Sequence, residues 1–356
     1  MSQDDSRPEA DRAGHAKAPR QTTALFGHDP AQAELLEGYR RGKLAQAWII
    51  GGPEGIGKAT LAWRIARFLL ANPDPQAPSV MAARDLFVPP DHAVARRIMA
   101  GSHGDVFTLR RQYNEKTKKL FTQIRADDAR SAIHLFQQAS GEGGWRICIL
   151  DCAEDLNTTS ANALLKMIEE PPTRSLFLII AQKPGQVLPT IRSRCRKLLL
   201  QALPPAMIVE AVKAQGPPLA HVPMGQLADA AARADGSVRE ALRLLDGGSL
   251  AFDGRLRMVL DGLPRLDMRA VYALADEITG RDGDDAYETL MRGIWKHLEN
   301  ALSKSAAAQA SPAALVPLAQ AWEKISASVR EAEALNLDRR ALALGIFAEL
   351  AAASGG

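Results

Sequence analysis

The feature that most constrains this 356-residue chain is a short apolar run, Ala47-Trp48-Ile49-Ile50, that empties into Gly51-Gly52-Pro53-Glu54-Gly55-Ile56-Gly57-Lys58-Ala59-Thr60. The run has the length and continuity of a strand buried on both faces. Behind the glycines, Leu61, Ile65, Phe68 and Leu69 fall at i, i+4, i+7 and i+8, the spacing of a helix with one apolar face. Strand, glycine loop and helix in that order fit a G-x-x-x-x-G-K phosphate loop. Glycines let backbone N–H groups wrap an anion, the helix start adds a positive end, and Lys58 reaches outward. The plainer reading is a glycine turn that only joins strand to helix.

The same alternation continues. Val106–Leu109, Arg146–Leu150, Leu176–Ile180 and Lys197–Leu200 read as further strands. A helix is expected from Pro30 to about Tyr39, and another carries Ala161, Leu164, Leu165 and Ile168 and stops before Pro171-Pro172. Strands alternating with helices predict an α/β P-loop domain with a mainly parallel sheet flanked by helices. After Leu203-Pro204-Pro205 strands give way to helical patterns: a small helical lid, then an all-α C-terminal region. The expected boundaries are 22–204, 205–247 and 248–356. Residues 1–21 hold no Leu, Ile, Val or Phe and are expected to be a disordered tail.

Composition removes other classes. Apolar residues are 46% and charged residues 24%, no stretch approaches the ~20 apolar residues of a membrane span, and the N-terminus lacks the apolar core of a secretory signal. Three cysteines, Cys148, Cys152 and Cys195, fit a reducing cytoplasm better than a disulfide framework. A net charge of +3 leaves nucleic-acid contact to local patches. One such patch is Arg110, Arg111, Lys116, Lys118, Lys119 and Arg125, read either as a solvated loop or as a DNA-backbone contact.

The loop departs from a working site. The residue after the lysine normally supplies a hydroxyl to magnesium, and here it is Ala59. Thr60 lies about 100° further round the helix and is not expected to reach the same ligand position. The strand ending at Asp151 offers the expected acid, but Cys152 stands where a glutamate base usually follows, and Glu154 is expected to point elsewhere. Cys148 and Cys152 read as core thiols. His92 and His103, with Asp91 and Asp105 nearby, read as loop residues, and no cysteine lies between Lys58 and Arg146, so no zinc site is expected and the metal set is empty.

Two further segments, Ser160-Ala161-Asn162-Ala163-Leu164-Leu165-Lys166-Met167-Ile168-Glu169-Glu170-Pro171-Pro172 and Leu188-Pro189-Thr190-Ile191-Arg192-Ser193-Arg194-Cys195, follow the glycine loop in order. With that loop, they resemble the bacterial clamp-loader branch of the AAA+ family over most of residues 23 to 246. Gly236-Ser237-Val238-Arg239-Glu240-Ala241 resembles the family's sensor-2 helix, and Asn336-Leu337-Asp338-Arg339-Arg340 its C-terminal collar. Sensor 1 falls near Gln182 or Lys183, without the usual small polar residue.

The resemblance implies an open five-membered ring shared with delta and gamma/tau subunits. The ring opens the beta sliding clamp and closes it around primed DNA, within the DNA polymerase III holoenzyme whose nucleotidyltransferase activity belongs to the assembly. An impaired loop beside an intact Ser-Arg-Cys motif implies the member that does not itself hydrolyse ATP. Its Arg194, flanked by Ser193 and Cys195, would act as an arginine finger on ATP held next door. Gly52, Gly55, Gly57, Lys58, Thr60, Asp151 and Arg239 would form a degenerate, vestigial ATP or ADP site with no required cofactor. Three alternatives stand beside this: a gamma/tau-like active ATPase that uses Thr60 or water, an AAA+-derived DNA-binding module outside the loader, and surface roles for Arg194 and Arg239.

Overall fold

The computed structural model describes residues 9–12, 16–117, 119–137, 144–217, 219–246, 249–280, 283–307 and 312–354. From its N-terminus the chain forms α1 (Asp29–Arg40), β1 (Ala47–Gly51), α2 (Lys58–Ala71), α3 (Pro78–Ala82), α4 (Ala93–Met99) and β2 (Val106–Arg110). A two-residue hairpin follows, β3 (Tyr113–Asn114) and β4 (Lys119–Leu120), then α5 (Ala126–Gln137), β5 (Arg146–Asp151), α6 (Thr158–Glu169), β6 (Ser175–Ala181), α7 (Pro189–Arg192) and β7 (Arg196–Leu199).

Five of the strands form one parallel sheet in the order β2-β5-β6-β1-β7. Burial on both faces explains the unbroken apolar runs. Trp48, Ile50, Ile147, Ile149, Leu176 and Leu178 face α1 and α2, while Ala47, Ile49, Cys148, Leu150, Phe177 and Ile179 face α5 and α6. Neighbouring positions in one strand thus serve two separate cores, the period-2 rule applied to both faces. After β1 the chain leaves for the far edge, returns through β5 and β6, and places β7 on the other side of β1. Crossovers therefore diverge at the carboxyl end of β1, where open α/β sheets leave a ligand crevice.

The remaining helices of the first unit, α8 (Pro205–Lys213), α9 (Met224–Arg233) and α10 (Val238–Leu244), form the expected lid. Division into compact units falls between Arg243 and Leu244, so the lid belongs with the sheet. The second unit contains α11 (Ser249–Asp261), α12 (Met268–Glu277), α13 (Gly283–Ala307), α14 (Pro312–Leu335) and α15 (Arg339–Ser354), packed around Phe252, Leu274, Ile294, Ile346 and Phe347. Its Asn336–Arg340 segment is a helix connection. Asn336 takes the left-handed conformation, Asp338 Oδ1 accepts from the Arg340 N–H at 2.9 Å, Arg339 pairs with Asp284, and Arg340 pairs with Asp276 at 2.7 Å.

The expectation of a disordered tail over residues 1–21 is corrected for the described residues 9–12 and 16–21. The cause is buried arginine. Arg67 on α2 is 2% exposed and donates to the carbonyls of Arg20 at 2.7 Å and Thr22 at 3.0 Å, and burial lowers its pKa to about 10. Ala16 and Ala18 are buried, and Pro19–Gln21 forms a 3-10 turn. Small side chains and backbone oxygens provide the anchorage that large apolar residues would otherwise supply.

Candidate functional site: a cleft over the glycine loop

Gly52, Gly55 and Gly57 all have positive φ, at 141°, 74° and 106°. At Gly52 an added Cβ would sit 2.5 Å from the Leu200 carbonyl oxygen, and at Gly55 it would sit 2.5 Å from Arg239 Cβ, so the loop passes too close to its neighbours for any side chain. His28, itself left-handed at the start of α1, places Nε2 2.7 Å from the Ile56 carbonyl and pins the loop from outside. Lys58 is 5% exposed. Its ammonium donates to the carbonyls of Gly52, at 2.7 Å, and Pro53, and burial lowers its pKa.

Asp151 ends β5 beneath the loop. Burial, and then the charge of Asp11, push its carboxyl up to about 7, against the opposing pull of Lys58 and Arg239. Glu154 lines the cleft, contrary to the expectation that it points elsewhere, because the 3-10 turn Ala153–Asp155 folds it back. Its two oxygens accept from the Cys152 thiol and from the Lys183 N–H at 2.5 Å. Burial and the Glu154 carboxylate push the Cys152 thiol up to about 12. Gln182 also lines the cleft, as do Ala59 and Thr60.

The lid closes the other side. Val238 N–H donates to the Gly55 carbonyl at 2.9 Å, Arg239 Nε lies 3.5 Å from Glu54 Oε1, and Arg239 Nη2 donates to the Arg12 carbonyl at 3.3 Å. Gly55, Gly57, Lys58, Thr60, Asp151 and Arg239 therefore surround one cavity of about 390 Å³, while Gly52 contributes through its carbonyl.

Ser193, Arg194 and Cys195 are not among the residues lining this cavity. Arg194 is exposed just beyond α7. Its Nη2 pairs with Glu169 Oε1 at 2.6 Å, at the end of α6, and its Nη1 donates to the Thr190 carbonyl at 3.0 Å. Ser193 is exposed, and Cys195 is half-buried with its thiol pushed up to about 11 by burial.

The basic stretch is largely compensated. Arg110 pairs with Glu9 and Asp11, Arg111 Nε lies 2.9 Å from Asp155, and Arg125 pairs with Asp128 and stacks on Phe121. Lys116 and Lys119 are exposed, and Lys118 lies outside the described residues. His92 accepts from Val94 N–H at the start of α4, and His103 Nδ1 accepts from Asp105 N–H. Sequence reasoning gave His28, Asp11 and Glu169 no role at the site and read Arg110 only as part of the basic stretch. An isolated His or a scattered acid carries no spacing signal, and only the fold brings these side chains to the cleft or to Arg194.

Residues 27–204, half of the chain, match the protein family described as "DNA polymerase III, delta subunit". The chain is also similar to the DNA polymerase III subunit delta' of Pseudomonas aeruginosa, at 36% identity over 155 residues, 44% of this chain and 43% of that one. The chain belongs to the delta-prime family of bacterial clamp loaders. Another delta-prime relative, from Escherichia coli, is 29% identical across 47% of this chain and 46% of its own length. Similarity reaches another subunit type too: the DNA polymerase III subunit tau of Salmonella typhimurium is 27% identical across 83% of this chain and 45% of its own length. The chain spans less than half the length of each of these relatives.

The parallel sheet, the glycine loop and the helical lid together form the cleft. The residues present do not fit a magnesium nucleotide. Position 59 offers no side-chain hydroxyl, the Lys58 ammonium is bonded inside its own loop, and the Asp11 carboxyl lies at the cleft.

Proposed function

We propose that this chain is the ATPase-silent subunit of a replicative clamp loader. It helps to assemble the ring with gamma/tau and delta subunits in the bacterial cytoplasm, and it lends Arg194 to the ATP of the neighbouring gamma/tau subunit while the ring loads the beta clamp onto primed DNA. The observation that carries this reading is the placement of Arg194. Its guanidinium is exposed and outside its own cleft, steered by Glu169 and the Thr190 carbonyl. A planar fork presented outward suits phosphate oxygens on a partner.

The test is ATP hydrolysis by the reconstituted complex. Arg194→Ala is expected to leave assembly intact and to remove the turnover of the one site it serves, where such a finger contributes roughly 10³–10⁵ in rate. Unchanged turnover at that site would refute the assignment. The chain alone is expected to hydrolyse no more ATP than its Lys58→Ala variant, and a clear excess would instead establish the gamma/tau-like ATPase.

A further inference from the structure

One wall of the cleft over the glycine loop is built by residues from the start of this chain. Asp11 has only 2% of its side chain exposed, and Ala10, Asp11, Ala16 and Lys17 line the cavity together with the glycine loop. Arg110, at the end of β2, donates to Asp11 and lies 2.7 Å from Glu9, while Arg20 holds the same Glu9 carboxylate. Burial opposes ionisation of Glu9, yet the hydrogen bonds from Arg20 and Arg110 outweigh it and hold that carboxyl below its usual range. Arg239, the lid arginine, donates to the Arg12 carbonyl. An acidic side chain, its flanking backbone and two arginines thus make a self-contained set of charge-assisted contacts at the mouth of the loop.

We propose that the segment Glu9–Arg12 is a resident acidic peptide ligand of this cleft, recognised by Arg110 and Arg239, and that it excludes nucleotide by presenting its own anion. A phosphate entering beside Asp11 meets a like charge, and Arg239 is already engaged. Arg110 thereby acquires a recognition role separate from DNA. This inference is independent of Arg194, because it concerns occupancy of this cleft and no turnover.

The experiment measures ADP binding to the full chain by calorimetry. Asp11→Asn removes the anion at nearly constant shape, and Arg110→Gln releases the segment from the opposite side. Both are expected to bind ADP at least about ten-fold more tightly than the unaltered chain, since unit charges a few ångströms apart near a protein surface interact by more than the 1.4 kcal/mol that ten-fold requires. Adding Lys58→Ala is expected to abolish the gain. Equal affinity in all chains, or no ADP binding in any, overturns the proposal. Hydrogen exchange on the unaltered chain gives a reading free of any folding defect. Saturating ADP is expected to accelerate exchange at residues 10–12, and nucleotide bound with their exchange unchanged also overturns it.

Discussion

Single residues at the cleft behave as an anion site turned inward. Asp151 is the sharpest case, because its carboxyl titrates near 7 in the fold and near 3.8 when exposed. Between those values the folded chain binds more protons than the unfolded one, so stability present below about pH 4 is lost as pH rises through 7. Three pKa units correspond to at most about 4 kcal/mol. Asp151→Asn cannot ionise. Its stability relative to the unaltered chain is therefore expected to improve steadily from pH 4 to pH 8, in urea unfolding at each pH. A difference independent of pH would mean that Asp151 is already charged in the fold. The sequence marks Asp151 as the acid ending a strand, but not its raised pKa. That depends first on burial and then on Asp11, 140 positions earlier, both products of folding.

At the scale of elements, the apolar strands were legible because a strand buried on both faces must be written as an uninterrupted run. Ser175–Ala181 is fully buried along its length, and Arg146–Asp151 nearly so. Between Ala71 and Ala126 only β2 was legible, with α3, α4 and the two-residue hairpin too brief to show a period. Helix α6 lies between these cases. Its apolar face was readable, while its start rests on one side chain: Asn157 Oδ1 accepts from the Ser160 N–H at 2.8 Å. That cap matters beyond stability, because α6 ends at Glu169, the partner of Arg194. Asn157→Ala is expected to destabilise the first unit by about 1 kcal/mol, and Asn157→Asp to restore most of it, by the urea midpoint. Equal loss from both substitutions would place the effect elsewhere than in the cap.

At the scale of the molecule, the question is whether a chain with net charge +3 grips DNA by itself. Nucleic-acid affinity grows with the counterions that free cations displace, and a guanidinium already paired to a carboxylate displaces few. The sequence shows six basic residues between positions 110 and 125 and nothing of their partners. In the fold Arg110, Arg111 and Arg125 each face a carboxylate, leaving Lys116 and Lys119 as the exposed lysines among the described residues of the stretch. Its contribution to a salt-dependence slope is then roughly two charges at about 0.9 each. The double variant Lys116→Ala/Lys119→Ala is expected to lower the slope for primed duplex by about 2, and Arg111→Ala to leave it nearly unchanged, both read from binding isotherms between low and physiological salt. If Arg111→Ala moved the slope as far as a lysine does, that arginine would have to exchange Asp155 for phosphate on binding. The stretch would then be a DNA contact held in reserve by acids of its own chain.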